Sequence, residues 1–173
     1  NAGKGDAGRQ SLEELLAQTQ GADATAQRER AIMLWETAVS LHREKQYEPA
    51  KKAYDALLAI VPGEHQALNN VASLLMTEMK NPEAALAYSE RAVKALPKEA
   101  GAEEKAAVLD TLGWNLVLAI KLDSGIYWLR QATDACPNPT DAFCYTLAGI
   151  HYHAAEAHRR RAEAVTGGSA EDL

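Results

Sequence analysis

The sequence predicts an all-α protein built from repeated pairs of antiparallel helices, and three observations support this fold class. The composition is rich in Ala, Leu and Glu and includes one Phe, which favours helices over strands. Apolar residues recur with the spacing of one helix face in successive segments. A fixed pattern of small residues and prolines occurs three times along the chain. With 173 residues and 47% hydrophobic content, the chain can form one domain with a buried core.

The N-terminal residues 1–22 are predicted to form a flexible segment that contains one short helix. Ser11 and Glu14 form the capping-box pattern at the start of the amphipathic run SLEELLAQ. Either Asp23 or Thr25 would cap the long helix that follows. The first residues resemble the end of a truncated sequence, so a targeting segment is expected to have preceded them. The sequence does not distinguish a cytoplasmic from an extracytoplasmic location.

Three units follow, and each combines an amphipathic helix with a second helix that ends at a proline. The second helices share the same four-, three- and five-residue spacing in Ala50-Tyr54-Leu57-Pro62, Ala85-Ser89-Ala92-Pro97 and Gly125-Leu129-Ala132-Pro137. Small residues also recur inside the first helices, at Ala38, Ala72 and Gly113. A small side chain lets the next antiparallel helix approach closely, and the proline ends that helix. The pattern therefore predicts closely packed helix pairs.

The predicted boundaries divide residues 23–166 into a repeat domain, followed by a flexible tail at 167–173. The units lie near 31–64, 65–98 and 106–139, and one long capping helix covers 141–165. Unit two has one extra residue near Lys80-Asn81, and the insertion PKEAGAEEKA lengthens a loop or the start of a helix before unit three. The arginines at 159–161 are expected to solvate the outer face of the capping helix, as terminal repeats require.

The repeated pattern resembles the tetratricopeptide repeat (TPR) family, whose unit of about 34 residues carries W-x2-L-G-x2-Y, then A-x3-F-x2-A, then a proline. The third unit matches best, through Leu112-Gly113, Leu129, Ala132 and Pro137, and the first adds the turn QYEPA. Trp is absent from the first consensus position of every unit. The resemblance implies a right-handed superhelix of about three units plus a C-terminal capping helix, with a concave groove lined by the first helix of each unit.

By the same resemblance, the groove is lined by defined positions of each unit, which form a polar centre with aromatic anchors. These positions hold Trp35, Val39, His42, Asn69, Asn70, Ser73, Met76, Asp110, Thr111, Trp114, Val117, Tyr145, Tyr152 and His153. Asparagine amides would hydrogen-bond a ligand backbone, and the aromatic side chains would supply apolar area. For the tryptophans, the alternative is packing between helices. For the asparagines, the alternatives are a buried structural hydrogen bond and an ordinary position on the helix surface.

The resemblance implies a non-catalytic adaptor or scaffold that binds a peptide or helix of a partner protein. The chaperone-binding members of the family grip a terminal carboxylate with Lys, Asn and Arg. Here Asn70 matches one of those positions, but Trp35, Val39, Ala107 and Thr111 occupy the others, so an apolar or amphipathic ligand is expected.

The alternative function is a structural module that self-associates through its convex or terminal faces, with the groove either empty or filled by the chain's own tail, for which the SLEELLAQ helix is the candidate. The run LDTLGWNLV with LDSGIYWLRQA also resembles TPR segments of bacterial proteins in envelope or exopolysaccharide assembly, which would make the chain bacterial. A homo-oligomer is compatible with both readings.

The residues favour no enzyme, cofactor or metal site. His151 and His158 share a helix face with Glu156 near them, but His153 points elsewhere, so three imidazoles do not converge as zinc requires. No nucleophile motif or phosphate loop is present in the sequence.

Charge and cysteine content limit the partners further. A net charge of −6 argues against nucleic acid as a partner, and no apolar run is long enough to cross a membrane. Cys136 and Cys144 fit neither a redox pair nor a zinc set, and they are expected to be small buried residues or a disulfide.

Overall fold

A computed structural model of the chain describes residues 10, 12–17, 23–136 and 144–167, and for 144–147 and 167 it describes the backbone alone. Residues 12–17 form a short helical segment. The helices that follow are α1 (Ala24–Arg43), α2 (Tyr47–Ile60), α3 (His65–Thr77), α4 (Pro82–Ala95), α5 (Ala102–Leu118), α6 (Leu122–Ala135) and α7 (Cys144–Gly167). Helices α1 and α2, α3 and α4, and α5 and α6 pack in pairs, and α7 packs on α5 and α6. The predicted all-α repeat architecture is confirmed.

The start of α1 is fixed by its own cap and by the N-terminal segment. Asp23 caps the helix, because its carboxylate accepts hydrogen bonds from the backbone amides of Thr25 and Ala26 at 3.0 and 2.9 Å. Leu12 and Leu15 of the short segment are buried in the same apolar cluster as Leu34 of α1. Their burial extends the apolar core of the first helix pair. The predicted capping residue Ser11 lies outside the described residues.

The small residues of the repeat are buried where each pair of helices meets. Ala38, Ala50, Ala72 and Ala85 are fully buried in the first two pairs. In the third pair, a Cβ atom added to Gly113 would lie 2.8 Å from the backbone nitrogen of Leu129, and one added to Gly125 would lie 2.9 Å from the carbonyl oxygen of Gly113. Real Cβ atoms do not approach backbone atoms this closely, so glycine is required at both positions of this pair.

The turns within the pairs share one backbone feature. They span residues 44–46, 78–81 and 119–121, so the extra residue of unit two lies in its turn. Each turn places one non-glycine residue in the left-handed region, with φ of 61° at Lys45, 52° at Lys80 and 62° at Ile120. The insertion before unit three lengthens both the connecting loop and the helix that follows it. Residues 96–101 form the loop, and α5 begins at Ala102, about one turn before the predicted start of that unit.

Helix α7 completes the stack on the side of the third pair. Ile150 is buried with Ala106 and Ala132, and Ala157 is buried with Val117 and Leu129. Within the described residues, no helix is both long and apolar enough to cross a membrane. Cys136 is 2% exposed, as expected for a small buried residue, and the side chain of Cys144 lies outside the description.

Candidate functional site

The first helices of the pairs and α7 form the surface that the sequence predicts to bind a partner. Helix α3 contacts α5, and α5 contacts α7, so these helices continue one surface along the stack. We call the surface formed by α1, α3, α5 and α7 the A-helix face. Several of the predicted residues form two clusters on this face, one on each half of the stack.

The first cluster is built around the buried ring of Tyr54 on α2. The rings of Trp35 and His42 meet the Tyr54 ring edge-on, with centroid distances of 6.1 and 6.4 Å. The Asn70 amide donates a hydrogen bond of 3.1 Å to the Tyr54 hydroxyl. Burial raises the pKa of Tyr54, and burial lowers the pKa of His42. Contacts with the buried Tyr54 therefore fix the positions of Trp35, His42 and Asn70, as a preorganised binding surface requires.

The remaining predicted residues of α1 and α3 differ in how far they reach the surface. Val39 is half-buried against the core, and Ser73 is half-buried with its carbonyl accepting the Thr77 hydroxyl at 2.8 Å. Met76 is 6% exposed and belongs to the core, so it does not line the face as predicted. The Oδ1 atom of Asn69 is buried and has no hydrogen-bond partner among the described residues, so this oxygen does not reach a ligand in the observed rotamer.

The second cluster joins α5 to α7. The Nδ1 atom of His153 lies 2.9 and 3.0 Å from the two carboxylate oxygens of Asp110. The His153 ring stacks on Trp114 with centroids 4.3 Å apart and planes 13° apart, and the Arg160 guanidinium lies 5.6 Å from the centre of the Trp114 ring. Asp110 and Trp114 therefore hold α7 in place, which is the packing role weighed as the alternative for Trp114. Tyr152 beside them is 63% exposed.

The other predicted residues of this half are less accessible. The Thr111 hydroxyl is half-buried and donates to the backbone carbonyl of Ala107 at 3.0 Å. Val117 is 1% exposed and packs in the core, so its predicted place in the groove is wrong. The side chain of Tyr145 lies outside the described residues.

A cavity of about 390 Å³ opens beside the first cluster, and no sequence pattern predicted it. It is lined by Ala31, Ile32, Trp35, Leu57, Val61, Glu64, His65 and Gln66. Ile32 is 59% exposed at its mouth, although an isoleucine side chain gains from burial. Ile32 occupies in unit one the place that Gln66 occupies in unit two, and its exposed position on α1 was a signal available in the sequence.

The rim of this cavity is fixed by a bridge between α3 and α5. The carboxylate of Glu104 lies 2.6 Å from His65 Nε2 and accepts a 2.7 Å hydrogen bond from the Gln66 amide. Both hydrogen bonds lower the pKa of Glu104, and the bond from Gln66 has the larger effect. The bridge orients two residues that line the cavity.

The short N-terminal segment lies on another side of α1. The Arg30 side chain donates a 3.0 Å hydrogen bond to the carbonyl of Leu15. Arg30 and Trp35 are about 140° apart around the helix, given about 100° per residue. The bond therefore holds the segment on a flank of α1 that faces away from the first cluster.

Charged residues on the C-terminal helix make ion pairs. Glu156 accepts hydrogen bonds from Arg159 at 2.7 Å and from Arg160 at 2.8 Å, which lower its pKa to about 2. Arg161 binds Asp123 of α6 at 2.6 Å, so Arg160 and Arg161 contact the stack and do not simply solvate an outer face. In the described part of the chain, no three His, Cys, Asp or Glu residues are grouped as a metal ion would require.

Comparisons with known proteins identify structural neighbours. No protein-family model and no curated protein sequence matches the chain. The N-terminal domain of stress-induced protein-1 from C. elegans matches 75% of this chain and 99% of its own, with a TM-score of 0.58 and 18% identity. The first TPR of Spaghetti (RPAP3), bound to an HSP90 peptide, matches 72% of this chain and 93% of its own, with a TM-score of 0.55 and 18% identity.

A third neighbour covers more of the chain. MamA, residues 41 to the end, from Desulfovibrio magneticus RS-1 matches 98% of both chains, with a TM-score of 0.55 and 19% identity. At these identities the likeness concerns the fold.

Proposed function

We propose that this chain, whose fold is that of the tetratricopeptide repeat, is a non-catalytic interaction module that binds a peptide or helix of a partner protein on its A-helix face. In this proposal it acts as an adaptor or scaffold. Its ligand is apolar or amphipathic and enters the cavity beside Trp35. Asn70 and the exposed ring of Tyr152 make further contacts along the face.

The cavity with Ile32 at its mouth is the observation that carries the proposal. Ile32 exposes most of its side chain next to a space large enough for a ligand's aliphatic or aromatic side chain. Complete burial of such a side chain stabilises a complex by about 1.5–3 kcal/mol. A partner that fills the cavity would gain this contribution from its own side chain, and covering Ile32 would add the part that corresponds to the exposed 59% of the isoleucine.

The polar groups around the cavity support an apolar ligand rather than one held by its terminal carboxylate. Trp35 and Val39 occupy positions where carboxylate-binding members of the family carry cationic or amide side chains. The nearest carboxylates at the rim, Glu64 and Glu104, would repel a ligand carboxylate. The HSP90 peptide bound by the Spaghetti domain shows that a neighbour with this fold holds a peptide, which supports a peptide ligand here.

A matched pair of variants on one helix tests the proposal. Ile32→Ser removes the apolar side chain at the mouth of the cavity. Met33→Ser changes the next residue, which is 41% exposed and does not line the cavity. A random peptide-display library is selected against the wild-type protein, and the recovered peptides are then titrated against both variants.

We expect a shared apolar motif whose affinity falls about tenfold for Ile32→Ser, a loss of about 1.4 kcal/mol, and stays unchanged for Met33→Ser. Circular dichroism spectra of both variants should match the wild-type spectrum, because neither side chain belongs to the buried core. Selected peptides that bind both variants as tightly as the wild type would place binding elsewhere and refute the proposal.

A further inference from the structure

A second cavity lies between the second and third helix pairs. Its lining residues Leu112 and Leu116 are about 160° around α5 from Trp114, given about 100° per residue, so the cavity opens on the side of α5 away from the A-helix face. Its volume is about 510 Å³, and α4, α5 and α6 form its walls. It is lined by Glu90, Val93, Lys94, Leu112, Leu116, Lys121, Ser124 and Trp128. None of these residues lines the first cavity or belongs to the two clusters of the A-helix face. The apolar residues form the floor, and the charged residues stand at the rim.

Ile120 directly precedes Lys121 of the cavity lining and has a backbone conformation that its side chain disfavours. Its φ is 62°, and a β-branched residue in this region is strained by roughly 1–2 kcal/mol. The side chain is 83% exposed, so burial inside the chain does not compensate for the strain. The corresponding turns of the first two units carry Lys45 and Lys80, which are unbranched at Cβ. The turn therefore presents an exposed apolar side chain directly before Lys121 of the cavity rim.

The charges at the rim indicate what would fill the cavity. Lys94 and Lys121 are exposed, and among the described residues neither lies in an ion pair. Glu90 is the carboxylate that shares the lining with them. In a chain with a net charge of −6, this rim has a local excess of positive charge. Its chemical complement is a ligand that carries carboxylates next to an apolar side chain.

We infer that the surface formed by α4, α6 and the turn at Ile120 is a second docking site, which binds an acidic amphipathic segment of a partner protein. An apolar side chain of the segment enters the cavity against Trp128. A neighbouring residue of the segment covers Ile120, and its carboxylates lie at Lys94 and Lys121. A module with this site on one side and the A-helix face on the other would hold two partners at once.

The test uses the full chain and a display library of helix-forming peptides in which Leu, Ile, Phe or Trp anchors are flanked by either acidic or basic residues. Peptides are selected against the wild type and titrated against three variants. Ile120→Lys gives the turn the residue found in the other two units. Lys94→Glu with Lys121→Glu reverses the rim charge, and Ile32→Ser on the other face is the control.

The expected peptides combine an apolar anchor with Asp or Glu, and their affinity falls at least about tenfold for Ile120→Lys and for the charge-reversed variant. Affinity for Ile32→Ser is unchanged, which separates this site from the A-helix face. Ile120→Lys should also raise the melting temperature, because it relieves the strained backbone. Loss of binding by a more stable protein cannot be attributed to misfolding.

Three results would overturn the inference. The first is peptide binding that Ile120→Lys and the charge-reversed variant retain. The second is recovery of acidic peptides without an apolar anchor whose binding disappears at high salt, which would mean that the lysines attract any anion. The third is a wild-type dimer in sedimentation that Ile120→Lys converts to a monomer, which would make a second copy of the chain the occupant.

Discussion

Gly113 and Gly125 set the distance between α5 and α6. Each stands where the other two helix pairs carry alanine, and each lies against the backbone of the facing helix. An added methyl group at Gly113 would lie 2.8 Å from both the backbone nitrogen and the Cγ atom of Leu129. The backbone nitrogen cannot rotate away as a side chain can. The two helices would therefore have to separate to accept alanine.

Gly113→Ala is expected to destabilise the protein. Overpacking of this kind costs about 1–3 kcal/mol, and the higher helix propensity of alanine offsets only about 1 kcal/mol of it. The matched control is Gly149→Ala in α7, where an added Cβ meets no atom within 4 Å, so the propensity gain should appear alone. Urea denaturation of both variants gives the comparison. Equal stability of the two variants would show that α5 and α6 yield more easily than this contact indicates.

Ser89 and Asn115 form a buried polar link that no sequence pattern indicated. The Asn115 amide donates to the Ser89 hydroxyl at 2.8 Å, and that hydroxyl donates to the carbonyl of Ala85 at 2.9 Å. Both side chains are 1% exposed, so α4 and α5 are joined by a hydrogen bond inside an otherwise apolar interface. Such a bond is costly to break from one side, because the remaining partner stays buried.

At the scale of the element, the carboxylate of Glu156 is the centre of the ion pairs on α7. Glu156 binds Arg159 and Arg160, and Arg160 in turn lies over the ring of Trp114. The ion pairs therefore connect the charge pattern of α7 to its contact with α5. Because these bonds lower the pKa of Glu156 from 4.5 to about 2, the carboxylate stabilises the folded state above pH 4.5, and that stabilisation is lost as the pH falls towards 2.

Glu156→Gln should remove this part of the pH dependence. The wild type is expected to lose thermal stability between pH 4.5 and pH 2, and the variant should lose less over the same range while melting at a lower temperature at pH 7. Melting curves followed by circular dichroism give both values. Glu163→Gln, which removes another partner of Arg159, is the control and should alter the profile less. Parallel profiles for the wild type and Glu156→Gln would mean that the ion pairs do not stabilise the fold.

The elements themselves were largely predictable, because their signals are local. Amphipathic spacing, the prolines and the repeated small residues place the helix pairs. The capping pattern narrowed the start of α1 to Asp23 or Thr25, and the structure has Asp23 as the cap. The position of the extra residue of unit two, in a turn, was also indicated by local sequence signals. These features depend on a few neighbouring residues, which a sequence displays directly.

The residues of the candidate site were harder to predict, because their environment depends on distant parts of the chain. Trp114 meets His153 and Arg160 only because α7 packs on α5, and no local pattern fixes that register. Met76 occupies a family groove position, yet the packing of its neighbours buries it. Ile32 was missed although its exposure follows from the helix pattern, and the left-handed conformation of Ile120 is invisible in the sequence.

At the scale of the whole molecule, the helix pairs are arranged as a linear stack. Most helix contacts join helices that follow each other along the chain, and the equivalent helices α3 and α5, and α5 and α7, also contact each other. A stack of this kind has no single central core, and its stability is approximately the sum of its units and of the interfaces between them. Two side-chain bridges start from α5: Asp110 contacts His153 of α7, and Glu104 contacts His65 of α3. The third pair is therefore bridged to the helices on both of its sides.

This arrangement predicts that a defect in the third pair stays local. In Gly113→Ala, amide hydrogen exchange should become faster in α5, α6 and α7, because α7 packs directly on the disturbed pair. Protection in α1 and α2 should be unchanged, since their link to α5 passes through α3 and α4. Hydrogen–deuterium exchange with mass spectrometry resolves these helices, with Gly149→Ala as the control. Faster exchange in every helix to the same degree would show instead that the stack opens as one cooperative unit, and that a ligand on either face would then stabilise the whole chain equally.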